Sequence, residues 1–141
     1  MPKNPVKVVI DSNLWVSFVF NQLKSPLRKI MNDERIEIVT SEELSSELFE
    51  VLNRPKFSEK IKPETILTFQ HYYNLFTLKI EVTSEVTACR DPKDNFLLAL
   101  AKDASADYLI TGDADLLVLH PFEGIQIKKL TDFIEEIYTD A

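Results

Sequence analysis

The stretch VKVVIDSN, residues 6–13, sets the interpretation of the whole chain. Apart from Lys7, its first five residues form an apolar, β-branched run, which is typical of a strand covered on both faces. Asp11 follows directly, where a lone buried carboxylate costs free energy unless it is paired or bound to a metal ion. Capping of the helix predicted from Leu14 is the alternative role of Asp11. The stretch therefore predicts a covered sheet with an acidic site at one edge.

Strand-like and helix-like segments alternate along the rest of the chain. Short strands are predicted at residues 6–10, 36–39, 78–82, 108–111 and 125–127. Helices are predicted at residues 14–20, from Ser25-Pro26, after a Thr40 cap with Glu43 in a capping box, at 63–76, from Asp94, at 115–119 and at 131–138. Parallel neighbours need crossover connections, so this order predicts a three-layer α/β domain with a central parallel sheet and helices on both faces.

Composition narrows the class of protein. The chain has 141 residues and 45% hydrophobic content, which suits one domain over residues 1–141. Only two glycines are present, and this excludes a glycine-rich dinucleotide loop and a P-loop. No apolar run is long enough for a membrane span or a signal peptide, so we expect a cytoplasmic protein. The net charge of −7 argues against a general positive field for nucleic acid, although bound cations would cancel part of it.

The single cysteine, Cys89, does not support cysteine chemistry of the common kinds. One cysteine cannot form an intramolecular disulfide, and with only His71 and His120 it cannot build a zinc cluster. Cys89 is either a small half-buried hydrophobic residue or a nucleophile.

Four acidic residues follow apolar or helical runs in a way that indicates a metal site. They are Asp11, Glu47, Asp94 and Asp113. Carboxylates beyond the carboxyl ends of parallel strands converge on one crevice, and hard cations such as Mg²⁺ or Mn²⁺ prefer oxygen ligands. Each residue also has a simpler role: Glu47 as a surface glutamate, Asp94 as a helix cap, and Asp113 as part of the turn at Gly112. A metal-dependent enzyme explains all four together.

The ordered acidic motifs resemble those of the PIN-domain ribonucleases. The resemblance extends across essentially the whole chain, and it is closest to the branch described as toxins of toxin-antitoxin pairs. The segments that carry it are Asp11-Ser12-Asn13, Ser41 to Leu52 with Glu47, Arg90 to Asn95 with Asp94, and Ile110 to Leu117 with Asp113.

The resemblance implies a site, a cofactor and a reaction. Asp11, Glu47, Asp94 and Asp113 would be the catalytic, metal-binding acids, and Asn13 and Thr111 would support them. Asp115 would be a fifth metal-binding acid or only the cap of the next helix. The expected cofactor is Mg²⁺ or Mn²⁺, and the expected reaction is the hydrolysis of RNA phosphodiester bonds without a nucleophilic side chain. An antitoxin protein would be the partner.

Basic and aromatic residues suggest further contacts. Candidates for phosphate contacts, or for plain solvated residues, are Lys24, Arg28, Lys29, Arg54, Lys56, Lys60 and Lys93. Tyr72 and Phe76 lie four residues apart beside Phe69 and Tyr73, and this spacing predicts a homodimer face or ordinary core.

Two other functions are compatible with parts of the pattern. A haloacid-dehalogenase-like phosphatase also has an aspartate after its first strand, but it needs a second aspartate at the position that Asn13 occupies. The second alternative is a nuclease-like domain that has lost catalysis and only binds RNA or a protein partner. Against it, buried carboxylates that bind no metal ion cost stability.

Overall fold

Five parallel strands form a single sheet. The computed structural model describes residues 4–21 and 25–138. Within them the strands are β1 (Val6–Ile10), β2 (Ile36–Thr40), β3 (Thr77–Lys79), β4 (Tyr108–Ile110) and β5 (Gln126–Lys128). Their spatial order is β3-β2-β1-β4-β5, and every neighbouring pair is parallel. The strand that ends before Asp11 therefore occupies the centre of the sheet.

Helices cover both faces of this sheet, so the predicted three-layer architecture is confirmed. The helices are α1 (Ser12–Phe20), α2 (Leu27–Met31), α3 (Glu42–Leu52), α4 (Pro55–Ser58), α5 (Pro63–Phe76), α6 (Asn95–Asp103), α7 (Ala114–Leu117) and α8 (Leu130–Ile137). Val8 and Ile10 pack on one face with α1, α2, α3, α5 and α8. Val9 packs on the other face with α6 and α7. Because β1 is covered on both sides, its sequence reads as a continuous apolar run.

Aromatic rings fill the larger of the two cores. Trp15 lies edge-on to Tyr73 with ring centroids 5.1 Å apart, and Phe69 lies 5.8 Å from Tyr73. The Tyr73 hydroxyl reaches the end of β2, where it forms a 2.6 Å hydrogen bond with Thr40 Oγ1. This contact fixes α5 against the strand that precedes α3.

The cap of α3 is one residue later than predicted. Ser41, not Thr40, is the capping residue, and its Oγ accepts a hydrogen bond from the Leu44 amide at 3.2 Å. Thr40 is the last residue of β2, and its hydroxyl faces Tyr73 in the core. The predicted capping box is therefore wrong because the strand is one residue longer than its apolar run.

Prolines stand at the start of three helices, α2, α4 and α5. Pro63 begins α5 as predicted, whereas Pro26 directly precedes α2 and Ser25 Oγ caps the Leu27 amide. Helix α4 was not predicted, although Pro55 occupies its first position. The third strand is shorter than predicted, because its ladder ends at Lys79 and Ile80 keeps only one backbone hydrogen bond to Thr40.

No helix in residues 4–21 or 25–138 is both long enough and apolar enough to cross a membrane.

Candidate active site

Asp11 lies at the centre of the carboxyl edge of the sheet, directly after β1. Its side chain is 6% exposed. Thr111 Oγ1, which follows β4, donates a 2.8 Å hydrogen bond to Asp11 Oδ2. Asp11 Oδ1 accepts a longer bond of 3.4 Å from the Asn13 amide at the start of α1. Asp11 is therefore both the cap of α1 and a buried carboxylate shared with the neighbouring strand.

Glu47 joins this edge from α3. Its Oε2 accepts a 2.9 Å hydrogen bond from Ser12 Oγ, and the same hydroxyl lies 3.5 Å from Asp11 Oδ1. Glu42 and Glu50, on the same helix, form ion pairs at the protein surface instead. The half-buried Glu47 is therefore the acid of α3 that turns toward Asp11.

Asp94 precedes α6, but its side chain forms no capping hydrogen bond. Its Oδ2 atom is buried and has no hydrogen-bond partner among the described residues. Burial, followed by the neighbouring Asp113 and Asp11 carboxylates, raises the pKa of Asp94 to about 7. Ionised Asp94 is thus destabilised by lost solvation and by like charges, which is the signature of an acid placed in an acidic site.

Asp113 is held by a turn between β4 and α7. The Asp113 amide donates to Thr111 Oγ1 at 3.0 Å, and Asp113 Oδ1 accepts from the Asp115 amide at 2.8 Å. Thr111 is fully buried and contacts both Asp113 and Asp11 through one hydroxyl. It therefore fixes the spacing of two of the four acids.

Asp115 and Asn13 stand at the border of this group. Arg90 binds both carboxylate oxygens of Asp115, with Nε 3.1 Å from Oδ1 and a terminal nitrogen 3.4 Å from Oδ2. Asn13 is exposed, and only its backbone amide contacts Asp11. The role of Asp115 as a metal ligand stays a prediction, since Arg90 occupies its carboxylate here.

Two neighbouring residues have structural roles. Asp91 Oδ1 accepts a hydrogen bond from the Lys93 amide at 3.1 Å and shapes the turn before α6. Cys89 is buried, and its Sγ lies 3.6 Å from the Asp115 carbonyl oxygen. Burial raises the pKa of the Cys89 thiol, which keeps it protonated and unsuited to nucleophilic attack.

The donor chemistry of the site fits a hard divalent cation. The available atoms are carboxylate oxygens, and one of them, Asp94 Oδ2, is buried without a donor to neutralise it. Among the described residues, no three His, Cys, Asp or Glu side chains stand close enough to hold an ion in their present positions. The carboxylates of Glu47, Asp11 and Asp115 accept hydrogen bonds from Ser12, Thr111 and Arg90, respectively.

Comparison with known proteins identifies the family. The family model described as PIN domain matches residues 7–115, a span that contains all four acids. The chain belongs to the PIN-domain family. PIN domains are generally nucleases, and they typically use divalent metal ions. The phosphatase alternative is not favoured.

Two individual proteins are similar to this PIN domain over nearly their whole length. The protein MJ1680 of Methanocaldococcus jannaschii is 30% identical over 148 aligned residues, which cover 96% of this chain and 94% of that protein. The crystal structure of PAE2754 from Pyrobaculum aerophilum superposes with a TM-score of 0.59 over 96% of this chain and 97% of that one. At 13% identity, the second similarity concerns the fold alone.

Two residues that hold the candidate acids of this PIN domain are not predicted from the sequence. Ser12 donates its hydrogen bond to Glu47, which lies 35 positions away in the sequence. Arg90 binds Asp115, which lies 25 positions away in the sequence. A polar residue in the first turn of a helix that follows a site acid is the signal that would have indicated Ser12.

We predict that Asp94→Asn stabilises the metal-free protein. The raised pKa of Asp94 means that the folded state binds more protons than the unfolded chain between about pH 4 and about pH 7. The free energy of unfolding contributed by this group therefore falls as pH rises through that window. Asparagine removes the charge, so melting temperatures in EDTA should be higher than wild type near neutral pH and should depend less on pH.

The matched control is Asp132→Asn, which changes an exposed aspartate in the first turn of α8. Its melting curves should keep the pH dependence of the wild type. Identical pH profiles for wild type and Asp94→Asn would contradict the repulsion among the site acids.

Proposed function

We propose that this PIN domain is a divalent-metal-dependent endoribonuclease. The observation that carries the proposal is the position of Asp94. Its Oδ2 is buried without a hydrogen-bond partner among the described residues, and burial, followed by the neighbouring Asp113 and Asp11 carboxylates, raises its pKa. Such an arrangement costs stability in the absence of a cation, and it supports Mg²⁺ or Mn²⁺ as the missing partner. The family membership of the chain supports a phosphodiester as the substrate.

Asp11, Asp94 and Asp113 would hold the metal, with Glu47 as a further ligand or as the residue that orients the attacking water. When bound, the ion would activate that water and stabilise the charge of the leaving oxygen. Thr111 keeps Asp11 and Asp113 at fixed positions through its two hydrogen bonds. Ser12 holds the Glu47 carboxylate near Asp11. These bonds place carboxylates before substrate arrives, which limits the reorganisation needed during the reaction.

Cleavage of RNA should require Mg²⁺ or Mn²⁺ and should stop in EDTA. Asp11→Asn and Asp113→Asn should each lower the rate by about 100-fold or more, because each removes a ligand charge from the site. Asp132→Asn, remote from the site, should cleave at the wild-type rate. Gel analysis of labelled single-stranded RNA measures these rates. Full activity in excess chelator, or an equal loss in all three variants, would contradict the assignment.

We further propose that the biological role is that of a toxin in a toxin-antitoxin pair. The support is the resemblance of the four acidic segments to that branch of the family. Induced expression of the wild type in a bacterial host should then arrest growth, whereas Asp113→Asn at the same protein level should not. Co-expression of the product of the adjacent gene should relieve the arrest. Normal growth at high levels of active wild type would contradict the toxin role.

Self-association through α5 is a further part of the proposal. Phe69 and Tyr73 are core residues, but Tyr72 and Phe76 are 49% and 40% exposed. The latter two rings stack with centroids 6.3 Å apart, so they present one apolar surface on the outer face of the helix. A second copy of the chain, related by a two-fold axis, would cover this surface.

Light scattering at tens of micromolar protein should therefore give the mass of a dimer. Tyr72→Ser combined with Phe76→Ser should give a monomer, because it removes the stacked pair. Leu67→Ser is the control, since Leu67 is an exposed apolar residue on another side of α5. A monomeric wild type, or a dimer that survives the double substitution, would rule out this interface.

A further inference from the structure

The segment around α4 has a net positive charge, whereas the chain as a whole has a net negative charge. Residues 53–62 contain four cations and one carboxylate, whereas the whole chain has a net charge of −7. We define the α4 patch as Phe20, Lys56, Phe57, Lys60 and Lys62. The three lysines are exposed. A local positive surface on an acidic protein indicates attraction of an anion rather than general solubility.

The lysines of the α4 patch are not neutralised by the protein. Six other cations form ion pairs with carboxylates: Arg35, Arg54, Lys79, Arg90, Lys102 and Lys128. Over residues 4–21 and 25–138, no such pair involves Lys56, Lys60 or Lys62. Backbone hydrogen bonds continue the helical turn past α4 to Ile61, so Lys56 and Lys60, four residues apart, share a face. Their mutual repulsion costs free energy that a bound polyanion would offset.

Aromatic rings accompany these charges. Phe20, the last residue of α1, is 41% exposed, and its ring centroid lies 5.5 Å from that of Phe57. Lys56 Nζ lies 5.6 Å from the Phe57 centroid on the same surface. Lysines next to exposed aromatic rings are the combination with which proteins bind single-stranded nucleic acid, through phosphate contacts and base stacking.

Helix α1 connects this patch to the acidic site. Its first residue, Ser12, contacts Glu47, and its last, Phe20, contacts Phe57. The distance along the helix is about 12 Å at 1.5 Å per residue. Asn13, Ser17 and Phe20 are the exposed residues of α1, and none is charged. The exposed residues of α1 themselves therefore present no carboxylate to a polyanionic strand that follows the helix.

We propose that the α4 patch binds the single-stranded RNA substrate and directs it along α1 to the acids. Lys56 and Lys60 contact phosphates, Phe20 stacks on a base, and Asn13 and Ser17 offer hydrogen bonds along the path. This inference rests on the proposed ribonuclease function, and it adds where and in which form the substrate binds.

The test measures binding of a fluorescein-labelled single-stranded RNA by anisotropy, in EDTA and at several salt concentrations. Each phosphate contact contributes about 0.7 to the slope of log affinity against log salt concentration. Lys56→Gln with Lys60→Gln should therefore weaken binding and reduce the slope by about 1.4. Phe20→Leu keeps an apolar side chain but removes the ring, and it should weaken binding by about fivefold or more without changing the slope.

Lys102→Gln is the matched control, because Lys102 is a lysine of α6 on the opposite face of the sheet. It should bind RNA as the wild type does, and melting curves should show that all variants fold. Wild-type affinity and slope in the double lysine variant would overturn the proposal. A protein partner would then be the alternative ligand of the patch. That result is independent of cleavage: a wild type that binds RNA in this way but never cleaves it would overturn the ribonuclease function alone.

Discussion

The hydrogen bond from Thr111 to Asp11 is the contact on which the candidate site depends. It joins the ends of β1 and β4, the two strands that meet at the centre of the sheet. The same threonine hydroxyl accepts from the Asp113 amide, so one buried side chain sets the positions of two acids. Parallel strands bring these residues to one edge, where Asp11 is buried and Asp113 is half-buried. The charges of the acids are therefore less screened there than at the open surface.

Carboxylates held close together repel one another, and hydrogen-bond donors of the protein offset this cost only in part. Donors from Ser12, Thr111 and Arg90 stabilise Glu47, Asp11 and Asp115, respectively. Asp94 receives no such donor at Oδ2 from the described residues, and burial, followed by the neighbouring Asp113 and Asp11 carboxylates, raises its pKa. The protein thus stores unfavourable electrostatic energy at one residue, and a cation would release it. On this account the metal ion is both a cofactor and a source of stability.

The sequence predicted the architecture well because its signals were local. The run of residues 6–10 gave the central strand with its observed bounds, and Pro63 gave the start of α5. The predictions failed where tertiary contacts determine the local structure. Thr40 does not cap α3, because it is the last residue of β2 and its hydroxyl binds the Tyr73 hydroxyl from α5. Such pairings join positions distant in the chain, and no local pattern encodes them. The four acids could be predicted from their motifs, but the contact of Ser12 with Glu47 depends on how α1 packs against α3.

The central claim, that the acids at this edge form a divalent-metal site, is tested most directly by metal binding itself. Electron paramagnetic resonance of free Mn²⁺ measures the bound fraction without relying on cleavage. The account predicts saturable binding by the wild type and by Asp132→Asn, and much weaker binding by Asp113→Asn. Equal Mn²⁺ binding by all three proteins, or no saturable binding by the wild type, would contradict it.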